Sequence, residues 1–105
     1  MKKNKLRDFD ELVVDILKES EQRAEQFLES ALEEYKKDGD EAVLMMALRQ
    51  VAIAKGGVKK LAKQSGLSRE SLYKTLSSKG NPRLHTLKII LRTLGYDIFF
   101  KHIEA

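Results

Sequence analysis

Residues 58–77 read VKKLAKQSGLSRESLYKTLS, a run in which two short amphipathic patterns flank a glycine. The first pattern predicts a helix over residues 58–64 with its lysines on one side, and the second predicts a helix over residues 69–77. Gly66 accepts the positive φ of a tight turn, and Ser68 is placed to cap the second helix. Two short helices joined by such a turn form a helix-turn-helix.

Three residues of this run have the sizes that the packing of a helix-turn-helix requires. Ala62 lies where the two helices approach most closely, so a larger side chain would collide there. Gly66 makes the turn four residues later, and Leu72 fills the angle between the helices. These three are the structural residues of the motif.

Helical spacing of apolar residues predicts further helices on both sides of the motif. Residues 20–38 form an amphipathic pattern that Ser20 can cap, and residues 41–55 form an almost wholly apolar pattern that Asp40 can cap. The apolar helix is either the central helix of the domain or part of an interface. The last helix, over residues 84–94, is expected to bury Leu84, Leu87, Ile90, Leu91 and Leu94.

The two ends of the chain have β-forming character. Residues 9–17 fit helical spacing, which we favour, although their β-branched residues also suit a short strand. Residues 96–103, YDIFFKHI, predict a single strand, whose backbone groups need a partner. We expect pairing with the same strand of a second copy; residues 12–17 or the sheet of another protein are the alternatives. The predicted fold class is all-α, with five to six helices and a short C-terminal strand.

Length and composition restrict the class of protein. A chain of 105 residues has the length of one compact domain, and without cysteine it has neither disulfides nor a thiolate zinc site. Its longest apolar run, residues 42–48, is far shorter than the roughly 20 residues of a membrane helix. Acidic residues follow the basic start, where a signal peptide would be apolar. We expect a cytoplasmic protein with no membrane contact.

The charge is divided unevenly along the chain. Residues 1–54 hold 9 Lys and Arg against 13 Asp and Glu, a balance of −4, whereas residues 55–105 hold 11 against 3, a balance of +8. A basic half attracts polyanions and an acidic half suits a basic protein, although mixed charges also simply keep a small protein in solution. We therefore divide the chain into an acidic helical segment (1–40), a helix-turn-helix domain (41–95) and a C-terminal strand that contacts a second copy (96–105).

A longer part of the sequence carries a family resemblance. The carrying residues are Gly66-Leu67-Ser68-Arg69-Glu70-Ser71-Leu72-Tyr73-Lys74, Lys79-Gly80-Asn81-Pro82 and the leucine-rich helix that ends at Leu94-Gly95. With them the chain strongly resembles the bacterial addiction-module antidote proteins, HigA-like antitoxins with a helix-turn-helix of the phage-repressor (Cro/C1) type. The resemblance implies repression of the protein's own operon and neutralisation of a RelE-like toxin that cleaves mRNA. Arg83 stands where the family commonly has a capping Ser or Thr.

In a helix-turn-helix the second helix lies in the major groove, with its first residues at the base edges. Arg69 can donate two hydrogen bonds to guanine, the commonest specific contact. Glu70 either accepts from a cytosine amino group or complements the helix dipole. Tyr73 and Lys74 lie further along the same face. The candidate base contacts are therefore Arg69, Glu70, Tyr73 and Lys74.

Candidate phosphate contacts flank that helix, and such contacts set affinity and register without reading sequence. Each of the two serines can either cap a helix or contact a phosphate. The lysines can either contact phosphates or form only a solvated face. The candidates are Lys59, Lys60, Lys63, Ser68, Ser71, Lys79 and Arg83. We expect the DNA to be a double-stranded, inverted-repeat operator read by a homodimer.

No constellation of residues points to catalysis or metal binding. His85 and His102 lie 17 positions apart without a suitably spaced carboxylate. Ser71, His85 and Asp97 lack the context of a nucleophile elbow. We expect no enzyme, no cofactor and no metal.

Two other functions stay open on the sequence. One is a stand-alone helix-turn-helix repressor, which would have no toxin gene beside its own. The other is a protein-interaction module whose acidic front and apolar third helix bind a basic partner while the helix-turn-helix is vestigial. If a toxin binds, residues 9–35 are the first candidate contact, since they are acidic and have spare apolar residues; the C-terminal strand competes with them.

Overall fold

The computed structural model describes residues 5–104, with side chains from residue 9 onward. Across these residues the chain forms six helices and no β-strand. The fold is therefore all-α. The helices are α1 (Lys5–Lys18), α2 (Glu21–Asp38), α3 (Glu41–Ala54), α4 (Val58–Ser65), α5 (Arg69–Thr75) and α6 (Leu84–Leu94).

The helix ends in the N-terminal half follow local signals. Ser20 caps α2, since its Oγ accepts a hydrogen bond from the Arg23 amide at 3.2 Å. Asp40 caps α3 in the same way through the Ala42 amide at 2.9 Å. Between them Gly39 has a φ of +71°, the left-handed conformation that ends α2. Residues 9–17 lie in α1, so the helical alternative for them is confirmed.

The central position of α3 explains its nearly all-apolar sequence. One part of its surface packs against α1 and α2, and another packs against α4. Leu48, Val51 and Ala52 are almost wholly buried, and Met45 joins the same core. Because neighbours cover most of its circumference, α3 is a core helix, as one of the two sequence interpretations had it.

Helices α4 and α5 meet around the predicted turn. Gly66 has a φ of +80°, and its amide donates to the Ala62 carbonyl at 3.0 Å. Leu72, only 1% exposed, lies in the core with Leu61 of α4. The chain then passes Gly80, where a methyl group would overlap the Thr75 carbonyl and force the backbone to move. These contacts fix α5 against α4, and α6 also packs against α4.

Two expectations from the sequence fail in the single chain. Residues 96–104 form no strand, because residues 12–17 are helical and the described chain offers no other strand to complete a ladder. Pairing with a second copy stays a prediction. Leu84 was expected to be buried but is 70% exposed, whereas Leu87 in the same turn packs against the core.

Lys55 joins three parts of the molecule, a role the sequence patterns did not indicate. Its Nζ donates to the Leu94 carbonyl at 2.7 Å, at the end of α6, and to Glu21 Oε2 at 2.8 Å, at the start of α2. It also lies 4.7 Å from the ring centroid of Tyr96. Burial raises the pKa of the Tyr96 hydroxyl, and the ammonium group of Lys55 partly opposes that shift. Lys55 thus holds the end of α6 beside the N-terminal helices.

Replacing this lysine is expected to destabilise the fold. Lys55→Met keeps most of the apolar stem but removes the charged donor to Leu94, so the free energy of unfolding should fall by about 2 kcal/mol. The exposed Glu21 adds little to this value. Lys88→Met, the same change at an exposed lysine of α6, serves as the control. Urea denaturation of both variants measures the difference, and equal stabilities would show that Lys55 holds nothing in place.

Candidate nucleic-acid interface

The four candidate base contacts lie on α5, which buried leucines anchor to the core. Leu72 and Leu76 are each 1% exposed and anchor α5 to the core. At its start the Ser68 Oγ accepts a hydrogen bond from the Ser71 amide at 3.0 Å, so Ser68 acts as the cap. The cap and the buried leucines therefore hold the first turn of α5 in place, with its outer side chains exposed to solvent.

The outer face of α5 brings the four candidate base contacts together. All four are exposed, and their spacing of i, i+1, i+4 and i+5 places them on one side of a helix. Tyr73 is 55% exposed although it is aromatic. The residues on this face are Arg69, Glu70, Tyr73 and Lys74.

Every candidate phosphate contact is exposed, including Ser68, whose Oγ also caps α5. The three lysines of α4 are exposed on the side opposite Val58 and Leu61, on the helix that packs directly against α5. Lys79 and Arg83 are exposed in the connection between α5 and α6. Arg83 precedes α6 without any side-chain capping bond, as the sequence implied, so its guanidinium is available for other contacts. Ser71 is exposed as well.

A depression of about 390 Å³ lies at the C-terminal end of α5. Lys74 and Lys79 line it together with Ser77, whose Oγ donates to the Lys74 carbonyl at 2.8 Å and accepts from the Lys79 amide at 3.4 Å. Sequence reasoning assigned no role to Ser77. Its hydrogen bonds shape the chain beside the two lysines. The sequence pattern placed Ser77 inside the second helix, whereas α5 ends at Thr75.

The charge of this surface is predominantly positive. Residues 58–95 contain nine Lys and Arg and a single carboxylate, Glu70. Such a surface attracts a polyanion. Within residues 9–104 no three His, Cys, Asp or Glu side chains are grouped to hold a metal ion. In the same part of the chain no helix is long and apolar enough to cross a membrane.

The fold and this surface define a class of small all-helical protein. In this class two basic helices, here α4 and α5, follow helices rich in acidic residues, here α1 and α2. The chain belongs to the family of probable addiction module antidote proteins, whose family model matches residues 5–102. An uncharacterized protein of Haemophilus influenzae is 37% identical over 90 residues, which cover 86% of this chain and 84% of that relative. No solved structure gives a significant match. Family membership confirms the resemblance to antidote proteins and implies a toxin partner; the HigA-like subtype stays a prediction.

Proposed function

We propose that this protein is a DNA-binding antitoxin that represses its own operon and neutralises a RelE-like, mRNA-cleaving toxin. One observation carries the DNA-binding part: α5 and its C-cap residue bury Leu72 and Leu76, while the helix exposes Arg69, Glu70, Tyr73 and Lys74 on one face. A helix fixed in this way can enter the major groove without rearrangement. Membership of the antidote family supports the toxin partner.

In the proposed complex α5 and its flanks have separate tasks. Arg69 donates to O6 and N7 of a guanine, and Glu70, Tyr73 and Lys74 meet neighbouring bases or phosphates. The lysines of α4, together with Lys79 and Arg83, contact phosphates on both sides of the groove and set the register. Ser68 caps α5, and Ser71 is left to contact a phosphate.

Two copies are needed to read an operator. One α5 reaches only a few base pairs, and a two-fold dimer reads an inverted repeat with half-sites about 34–36 Å apart. The segment of residues 96–104 supports such a dimer, because Phe99, Phe100 and Ile103 are more than four-fifths exposed in the single chain. Pairing of this segment between copies would cover these side chains and give its backbone N–H and C=O groups hydrogen-bond partners.

Arg69→Ala tests the proposed DNA contact. Loss of the bidentate guanine contact should weaken binding to the operator region by about 10- to 100-fold, corresponding to about 1–3 kcal/mol. Binding to unrelated duplex DNA should change much less. Fluorescence anisotropy at one fixed salt concentration measures both.

The matched control for this test is Arg23→Ala, which removes an exposed arginine of α2 that pairs with Glu19. It changes the net charge equally and should leave operator affinity as it is. Unchanged affinity for Arg69→Ala would favour the protein-interaction module and contradict DNA recognition by α5.

A further inference from the structure

Helix α1 has more apolar surface than the fold uses. Val14 and Leu17 are buried in the domain, whereas Phe9, Leu12 and Ile16 stay 61%, 56% and 37% exposed. These three, which we call the α1 stripe, are spaced i, i+3 and i+7. They therefore form one continuous face about 10 Å long. The stripe is a second apolar face that no other helix of the described residues covers.

Carboxylates run beside the α1 stripe. Glu11 and Asp15 are exposed and lie four residues apart on α1 next to the stripe, and the exposed Glu19 follows just after the helix ends. Glu19 forms an ion pair with Arg23 of α2, whose Nε lies 3.2 Å from the Glu19 Oε2. An apolar stripe with a carboxylate rim is complementary to an apolar groove with a basic rim.

This complementarity defines the chemistry of a partner. A protein that cleaves mRNA has to bind phosphates, and it therefore presents a basic surface. Amphipathic helices dock into apolar grooves through anchors at i, i+3 or i+4, and i+7, which is the spacing of the α1 stripe. An antitoxin that covers the basic surface with its own carboxylates would also block access of RNA.

We infer that the α1 stripe is the surface on which the toxin docks, with Phe9, Leu12 and Ile16 in an apolar groove and Asp15 against the toxin's basic rim. This inference rests on the proposed antitoxin function and names the surface that performs it. Because α1 packs on α2 and α3 whereas α5 packs on α4, the docking surface and the DNA-binding surface lie on different elements. Variants of the stripe should therefore leave DNA binding intact.

The test uses the full chain and the RelE-like toxin encoded beside its gene. Isothermal titration of the purified pair should show that Leu12→Ser weakens the complex about tenfold or more, as removal of an interface anchor does. Asp15→Lys should weaken the complex as well, and this loss of toxin affinity should become smaller as the salt concentration is raised. The matched controls are Leu32→Ser, at an exposed leucine of α2, and Glu29→Lys, at an exposed carboxylate of α2; both should bind like the wild type. Circular dichroism and operator binding confirm that each variant is folded.

Three results would overturn the inference. Full toxin affinity in Leu12→Ser and Asp15→Lys, with loss in Phe100→Ser, would place the toxin on the C-terminal segment and leave the antitoxin function standing. Loss of self-association in Leu12→Ser without loss of toxin binding would assign the stripe to a second copy of this chain. Absence of any complex between the wild type and the neighbouring toxin would remove the proposed neutralisation together with its docking surface.

Discussion

Operator affinity is expected to fall about 10⁵-fold when the salt concentration rises from about 50 to about 200 mM. Each copy offers five exposed cations for phosphates: Lys59, Lys60, Lys63, Lys79 and Arg83. A dimer brings ten, and each released counterion contributes about −0.9 to the slope of log affinity against log salt, which gives a slope near −9. The effect is this large because every phosphate contact, in both copies, releases counterions from the DNA.

The control for the salt experiment compares two triple variants of equal charge. Lys59→Gln, Lys60→Gln and Lys63→Gln together should reduce the slope to about −4, because six phosphate contacts of the dimer are lost. Lys18→Gln, Lys36→Gln and Lys37→Gln, all exposed on α1 and α2, should keep the slope of the wild type. Equal slopes for the two triple variants would mean that the lysines of α4 form only a solvated face.

Leu72→Ala is expected to cause the largest loss of stability, about 2–5 kcal/mol in the free energy of unfolding. Leu72 is 1% exposed and packs in the core where α4 and α5 meet, so its removal leaves a cavity that rigid helices cannot fill. A domain of this size has a total stability of only about 5–15 kcal/mol. The variant should therefore unfold at much lower urea concentration.

Leu84→Ala is the matched control for this loss. It deletes the same atoms from a leucine that is 70% exposed in α6, and it should change the stability by less than about 0.5 kcal/mol. Urea denaturation followed by circular dichroism measures both variants. If both lose the same stability, Leu72 does not fill the angle between the two helices.

Signals within a few residues of each other were enough to predict the ends of several helices. Ser20, Asp40 and Ser68 act as caps through hydrogen bonds to amides two or three residues away, and Gly39 and Gly66 take the left-handed conformation at helix ends. These interactions lie inside one turn, so they can be read directly from the order of residues.

The outer face of α5 was predictable for a similar reason. The spacing of i, i+1, i+4 and i+5 places Arg69, Glu70, Tyr73 and Lys74 on one side of α5, and all four are exposed in the structure. The sequence also supported the family assignment through the run from Gly66 to Pro82, which the family match over residues 5–102 confirms. The base and phosphate contacts themselves stay predictions.

Contacts between distant residues decided the rest. Leu84 has the period of a buried residue but is exposed, because burial depends on whether another element reaches that turn. Lys55 is joined to Glu21 and Leu94 across 34 and 39 positions, a pairing that no local pattern encodes. Residues 96–104 have the composition of a strand and form none alone, since a ladder needs a second chain segment. The chain thus specifies its helices and their faces through short-range periodicity and caps, whereas packing in three dimensions decides which of those faces are covered.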